Sequence, residues 1–268
     1  MSATSSPLAF VLVPGAFCLP TQLDRIIPKL QQLGHHVEPI HLPTVGRAFF
    51  EKKGRIASIP DDAEHVNNTV AVLADKGYDV VLVGSSYAGM VITEAAKGLS
   101  RAERGPNTGA LIGLVYLGSL LPPVGVTIAE MFGGKGPPAP SADAEPTFVD
   151  PHPVEVAAQL LHSDLPAEEA LHYAGMVDVF SSLVNGEACT FAGWKTVPAT
   201  VVIGSRDLAV KPDLGHEYVK RAVEELEAEG RPVTVKKVVI EADHMMMVSQ
   251  PGRVVEILLE AAKGGSET

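Results

Sequence analysis

Apolar residues along this chain fall into two kinds of segment. Six short runs are rich in β-branched and other apolar residues. Several of them are continuous rather than alternating, which is typical of strands covered by helices on both faces. These predicted strands are residues 8–13, 36–42, 79–83, 111–117, 199–204 and 233–240.

Segments with the apolar spacing of helices lie between the runs. They are residues 21–34, 61–77, 91–99, 212–230 and 250–265. The first is expected to end at Gly34 although Pro28 lies inside it. One apolar face is predicted for that helix, formed by Leu23, Ile26, Ile27, Leu30 and Leu33. The repeated order of strand and helix predicts an α/β fold with a doubly wound, mostly parallel sheet.

Residues 119–190 break this alternation. The first part of this segment is rich in Pro and Gly, and the rest again has apolar residues at the spacing of helices. An insertion of this length after a strand, with helices of its own, favours a lid over a site rather than a plain loop. We therefore predict a core of residues 1–118 and 191–268 and a helical lid of residues 119–190.

Charge and composition narrow the classes of partner. The chain carries 21 Lys and Arg against 32 Asp and Glu, a net charge of −11, which argues against nucleic acid as a partner. No long basic cluster or apolar run of membrane length appears, so no membrane partner is expected. Cys18 and Cys189 are far apart and predicted to be reduced thiols, and the amino terminus lacks the basic start of a secretory signal. The expected location is cytoplasmic.

The segment "VLVGSSYAGM" joins a predicted strand to a predicted helix. A phosphate-binding loop would need lysine where Met90 stands. A nucleophile elbow needs small residues two positions before and after a strained serine. Gly84 and Ala88 satisfy this for Ser86, whereas the corresponding neighbours of Ser85 are large. Ser86 is therefore the candidate nucleophile.

A nucleophilic serine requires a base and an orienting carboxylate, in the chain order Ser, Asp, His. Asp207 and His244 each follow a predicted strand, at the sheet edge where such sites form. Asp243 and Asp213 are kept as alternative acids.

The oxyanion of the transition state needs two backbone N–H donors. We expect one from Tyr87, which follows the nucleophile, and one from Ala16 in the loop after the first strand. Phe17 is the second choice for that loop.

Taken together, these motifs make the chain resemble the α/β-hydrolases, and more narrowly the plant methylesterase and hydroxynitrile lyase family with similar fungal and bacterial hydrolases. The resemblance is closest at "FVLVPGAFCLP", "VVLVGSSYAGM", "LVYLGSLLPP", "GSRDLAVKP" and "ADHMMMVSQP". It implies an α/β-hydrolase fold with Ser86 as nucleophile, Asp207 as acid and His244 as base. The amides of Ala16 and Tyr87 would form the oxyanion hole.

Several positions depart from that family. Pro14 and Ser85 stand where relatives carry histidine, and Ala88 replaces the second elbow glycine. The lyases carry threonine in place of Gly15 and lysine in place of Met245, so the resemblance implies hydrolysis rather than lyase chemistry.

These expectations describe a serine hydrolase that cleaves a small hydrophobic carboxylic ester or lactone and needs no metal or organic cofactor. The sequence leaves open whether the protein forms a homodimer. The residues expected to contact the substrate are Phe17, Met131, Phe132, Tyr173, Met176, Phe180 and Met245. The alternatives are C–C bond hydrolysis, thioester hydrolysis or polyketide cyclisation on the same triad, and a non-catalytic ligand-binding relative.

Overall fold

A parallel six-stranded sheet forms the centre of the molecule. The computed structural model describes residues 7–133 and 145–266. The strands of this sheet are β1 (Leu8–Val13), β2 (His36–Pro39), β3 (Asp79–Ser85), β4 (Leu111–Leu117), β7 (Ala199–Gly204) and β8 (Val235–Ile240), and a separate antiparallel pair is formed by β5 (Phe148–Val149) and β6 (Phe180–Ser181). The order in the sheet is β2-β1-β3-β4-β7-β8, and all neighbouring strands are parallel.

Helices follow the strands and cover both faces of the sheet. They are α1 (Ile27–Gln32), α2 (Ala48–Lys53), α3 (Ile59–Asp75), α4 (Ala88–Ala95), α5 (Arg101–Arg104), α6 (Ile128–Met131), α7 (Val154–Leu161), α8 (Ala167–Ala174), α9 (Pro212–Ala228), α10 (Met246–Ser249) and α11 (Pro251–Ser266). Three short 3-10 helices span Pro20–Leu23, Leu183–Gly186 and Gly193–Lys195.

Alternate residues of the central strands pack into two separate cores. Val11 and Leu82 belong to one core with α3, α4 and α9, whereas Leu12 and Val81 belong to the other with α1 and α11. Because successive side chains of a strand point to opposite faces, a strand buried on both sides is apolar throughout. The predicted doubly wound, mostly parallel α/β sheet is confirmed.

The helix predicted over residues 21–34 is wrong in its bounds. The chain first forms the 3-10 helix Pro20–Leu23, and α1 begins only at Ile27 and ends at Gln32. Pro28 lies in the first turn of α1, where its missing N–H removes no helical hydrogen bond. Leu33 follows the helix and is 55% exposed, so it does not share the buried face.

Other boundaries shift by a few residues. Helix α3 begins at Ile59 rather than residue 61, because Ser58 and Asp61 form a capping box that starts the helix directly after Ser58. Strand β2 ends at Pro39, and β8 begins at Val235.

The segment between β4 and β7 holds α6, β5, α7, α8 and β6. Part of its Pro- and Gly-rich beginning, residues 134–144, lies outside the described residues. Strand β6 contacts the core through a bridge between Phe180 and Val45. The action of residues 119–190 as a lid stays a prediction.

Cys18 and Cys189 are both buried and unpaired. Burial raises the pKa of the Cys18 thiol to about 12, so that thiol stays protonated at neutral pH. Within residues 7–133 and 145–266, no helix combines the length and apolarity needed to cross a bilayer.

Candidate active site

A strained turn links β3 to α4. Ser85 is the last residue of β3, and Ser86 follows with a φ of 54°. Left-handed backbone is uncommon for residues other than Gly and is typical of a serine held at a strand-to-helix elbow. Ser86 lines a cavity, whereas Ser85 is 2% exposed and its Oγ has no hydrogen-bond partner among the described residues.

Close packing fixes this turn on both sides. A Cβ on Gly84 would lie 2.9 Å from the carbonyl oxygen of Ala88. A Cβ on Gly89 would overlap the carbonyl oxygen of Leu120. In addition, the Ser119 hydroxyl donates to the carbonyl of Ser86 at 2.6 Å. The loop after β4 therefore packs closely against the strand-to-helix turn at Ser86.

A buried carboxylate–imidazole pair lies on the loops after β7 and β8. Asp207 Oδ2 is 2.8 Å from His244 Nδ1, and both side chains are almost fully buried. Asp207 Oδ1 accepts the amides of Ala209 and Val210 at 2.8 and 2.9 Å, which fixes the carboxylate plane. This arrangement fixes the orientation of the imidazole.

The alternative acids have other partners. Asp243 accepts the Ser249 hydroxyl at 2.7 Å and the amide of Asp164 at 3.1 Å. Asp213 lies in the first turn of α9. Of the three acids proposed from the sequence, Asp207 is the one hydrogen-bonded to His244.

An ionic cluster ties the two loops to the inserted segment. Arg206 donates two hydrogen bonds to Asp164, at 2.8 and 2.9 Å, and also pairs with Glu241. Asp164 in turn accepts the amide of Asp243 at 2.8 Å. Because Arg206 precedes Asp207 and Asp243 precedes His244, this cluster limits movement of both loops relative to each other.

Gly118 connects the buried pair to the elbow. The carbonyl of Leu117 accepts the amide of Ser86 at 3.2 Å, and the next residue, Gly118, has a φ of 50°. A Cβ on Gly118 would lie 2.9 Å from Asp207 Oδ2 and 3.4 Å from His244 Nδ1. Only glycine leaves room for this pair beside the elbow.

We expect Gly118→Ala to displace Asp207 from His244 and to slow fluorophosphonate labelling of Ser86 by about 10²-fold or more, because a misoriented imidazole is a poor base. The rate at which a fluorophosphonate labels the protein measures this loss. Gly125→Ala is the control, since Gly125 also has a positive φ of 82° but has no atom within 4 Å of the added Cβ. Equal labelling rates for the two variants would contradict the role of Gly118.

The loop after β1 approaches the elbow closely. A Cβ on Gly15 would lie 3.1 Å from the Cβ of Ser86. Ala16 and Tyr87 line the cavity together with Ser86, and their amides donate to no backbone carbonyl of the described chain. Two uncommitted N–H groups beside a serine are what an oxyanion hole requires.

A cavity of about 490 Å³ opens beside Ser86. Its apolar wall includes Phe17 and Phe180, whose ring centroids are 5.0 Å apart. No Lys or Arg lines it within the part of the chain that the structure describes. The other lining residues are Ala16, Tyr87, Leu120, Ile128, Phe132, Val149, Asp150, His152, Ser181 and Asn185.

Three of the predicted substrate contacts, Phe17, Phe132 and Phe180, lie on this wall. The other four do not line this cavity, and their contact with substrate stays a prediction: Met131, Tyr173, Met176 and Met245. Tyr173, Met176 and Met245 pack with the core that contains α11, on the other face of the sheet. The Tyr173 hydroxyl donates to Asp24 at 2.8 Å, which holds it away from the cavity.

Met131 belongs to the same core as the cavity wall but packs behind it. The Met131 sulfur lies 3.8 Å from an Arg221 nitrogen, and the Met131 carbonyl accepts a hydrogen bond from the Tyr218 hydroxyl. The sequence showed that these residues are apolar, but not which of them face a cavity.

The sequence analysis missed several residues beside the cavity. Gly118 stands in the quoted segment "LVYLGSLLPP", and its position directly after a strand is a signal that could have identified it. Asp62 accepts hydrogen bonds from Tyr87 and from Thr44, which lie in distant parts of the chain. No local pattern indicates these contacts. Asn185 and His152 lie in the inserted segment without a recognisable motif.

Comparison with known proteins agrees with this architecture. Residues 10–257 match the model of the family described as "Alpha/beta hydrolase family". A curated relative, the alpha/beta hydrolase nvfD of Aspergillus novofumigatus, is 26% identical over 202 residues, which are 75% of this chain and 79% of that protein.

Two solved structures share the fold. A pyrethroid hydrolase from Sphingobium faniae JZ-2 superposes with a TM-score of 0.70 at 20% identity, covering 98% of this chain and 100% of its own. Polyneuridine aldehyde esterase also gives a TM-score of 0.70, at 22% identity over 95% of this chain and 98% of its own.

Proposed function

Because the chain belongs to the alpha/beta hydrolase family, we propose that it is a serine hydrolase that cleaves a neutral, hydrophobic carboxylic ester or lactone. The observation that carries this proposal is the buried Asp207–His244 pair, with 2.8 Å between Oδ2 and Nδ1, beside an elbow whose Ser86 opens into an apolar cavity. Two proteins of the same fold are a pyrethroid hydrolase and polyneuridine aldehyde esterase, which is consistent with ester chemistry.

The proposed reaction passes through an acyl-enzyme. His244 takes the proton from the Ser86 hydroxyl as its oxygen attacks the ester carbonyl. The amides of Ala16 and Tyr87 donate to the oxyanion. His244 then protonates the leaving alcohol, and water, deprotonated by the same imidazole, releases the acid. Asp207 holds the imidazole tautomer throughout.

The cavity wall supports the substrate class. Aromatic and aliphatic side chains on it favour an apolar substrate, and about 490 Å³ is the volume of a site for a small organic molecule. A carboxylate substrate would meet Asp150 without a Lys or Arg to neutralise it, among the described lining residues. The segment of residues 119–190 contributes much of this wall and would act as the lid.

A panel of esters tests the reaction. We expect hydrolysis of methyl and p-nitrophenyl esters with neutral hydrophobic acyl groups, and kcat/KM at least tenfold lower for matched esters that carry a free carboxylate. Acid release is measured by mass spectrometry, so that lactones are included. Activity on none of the esters, together with Ser86-dependent fluorophosphonate labelling, would replace ester hydrolysis with C–C cleavage or cyclisation on the same triad.

A further inference from the structure

A fully buried carboxylate accepts a hydrogen bond from the side chain of Tyr87, whose amide is proposed for the oxyanion hole, and has no catalytic role so far. Asp62 in α3 is 0% exposed. Its Oδ1 accepts the amide of Thr44 at 2.9 Å. Its Oδ2 accepts the Thr44 hydroxyl at 2.6 Å and the Tyr87 hydroxyl at 2.8 Å. Three donors converge on this side chain, which is the arrangement that a carboxylate anion needs.

No cation is hydrogen-bonded or ion-paired to Asp62 among the described residues. The charged and titratable groups that face it or its partners are Asp61 on the same helix, Tyr87 at the elbow and Glu187 from the inserted segment. The Arg55 guanidinium donates hydrogen bonds to the Asp61 carboxylate rather than to Asp62. Burial therefore raises the pKa of Asp62 to about 7, against the lowering effect of the hydrogen bonds from Thr44 and Tyr87.

The partners of Asp62 form part of the site. Tyr87 carries the proposed oxyanion amide, and its ring packs edge-on against Phe180 of the cavity wall at 5.0 Å. Thr44 accepts the amide of Ser181 at 3.0 Å, so the same loop holds β6. Asp62 thus joins the elbow to the strand that bears Phe180 through two hydroxyl donors and one amide.

We propose that Asp62 is a positioning residue whose ionised form holds Tyr87, and with it the oxyanion amide and the Phe180 wall, in the geometry for acyl transfer. This inference rests on the proposed function. Adding a proton to Asp62 turns one acceptor oxygen into a donor. One of the three hydrogens aimed at the carboxylate then has no acceptor in a site closed to water. Tyr87 cannot relieve this by ionising, because burial and Asp62 hold the pKa of its hydroxyl well above the ordinary value.

The pH dependence of Ser86 labelling tests this role without knowledge of the substrate. In the wild type, Asp62 must lose its proton in addition to the general base, so the logarithm of the labelling rate should fall with a slope steeper than one per pH unit as the pH drops through about 7. Asp62→Asn, which cannot titrate, should reduce that slope to one and lower the plateau rate about tenfold. Asp75→Asn is the matched control on the same helix, because Asp75 is exposed and pairs with Arg104.

Two further measurements keep the test decisive. Tyr87→Phe removes one donor from Asp62, so the second ionisation should move to higher pH. As the pH rises from 4 to 7, the free energy of unfolding of the wild type should fall relative to that of Asp62→Asn. The reason is that the unfolded chain loses the Asp62 proton near its ordinary pKa while the folded protein keeps it up to about pH 7.

A slope of one in the wild type, or an unchanged slope in Asp62→Asn, would overturn the positioning role while Ser86-dependent labelling still upheld the hydrolase. Labelling that persisted in Ser86→Ala, or a wild-type protein that did not label at any pH, would instead refute the proposed function.

Discussion

Replacing Ser86 with alanine is expected to abolish fluorophosphonate labelling and to lower the rate of ester hydrolysis by about 10⁴-fold or more. The substitution removes the only atom that can form the acyl bond in the proposed mechanism. It should leave the fold intact, because the side chain faces the cavity and no hydrogen bond from its hydroxyl to the described chain would be lost. Labelling is measured by intact mass, and folding by circular dichroism.

Ser85→Ala is the matched control for this experiment. Ser85 is adjacent and of the same residue type, but it is buried at the end of β3 with an unpartnered hydroxyl among the described residues. We expect labelling to persist and stability to stay the same or rise, because removing a buried polar group without a partner also removes its desolvation penalty. Labelling that survived Ser86→Ala and disappeared in Ser85→Ala would reverse the assignment made from Gly84 and Ala88.

Gly89→Ala is expected to lower the free energy of unfolding by about 3 kcal/mol or more, because overpacking against fixed backbone is among the strongest destabilising changes. The added methyl group would overlap the carbonyl oxygen of Leu120 and the hydroxyl of Ser119. Both atoms belong to the loop after β4, so either that loop or α4 must move to accommodate the methyl group. Urea denaturation of the two proteins measures the difference.

Gly252→Ala separates this clash from the ordinary effect of the substitution. Gly252 is also helical, in α11, and no atom lies within 4 Å of its added Cβ. There we expect a gain of up to about 1 kcal/mol, because alanine restricts the unfolded chain. Similar destabilisation at both positions would show that Gly89 is not specifically packed against the loop after β4.

The sequence predicted the sheet well because its central strands are buried on both faces. The middle residues of β1, β3 and β4 form nearly continuous apolar runs, since helices cover both faces of these strands. The errors occur at ends and at short elements. The helix expected at residues 21–34 begins at Ile27 because the fixed φ of Pro28 suits a first turn, and periodicity alone does not mark that start.

The proposed catalytic residues could be named from local context. Small neighbours selected Ser86, and strand ends selected Asp207 and His244. The substrate contacts could not be predicted equally well, since Tyr173 and Met245 have the same apolar character as Phe132. Which of them faces the cavity depends on how the inserted helices pack, and that packing involves residues far apart in the chain.

By itself, the sequence determined the doubly wound sheet, the strand-to-helix turn at Ser86 and the residues that could serve as its acid and base. Each depends on a pattern of neighbours along the chain. The tertiary structure alone decided that Asp207 rather than Asp243 pairs with His244, that Gly118 makes room for this pair, and that Asp62 reaches Tyr87. Hydrogen bonds and steric exclusion act over a few ångströms in space, and residues 62 and 87 become neighbours only when α3 packs beside the elbow.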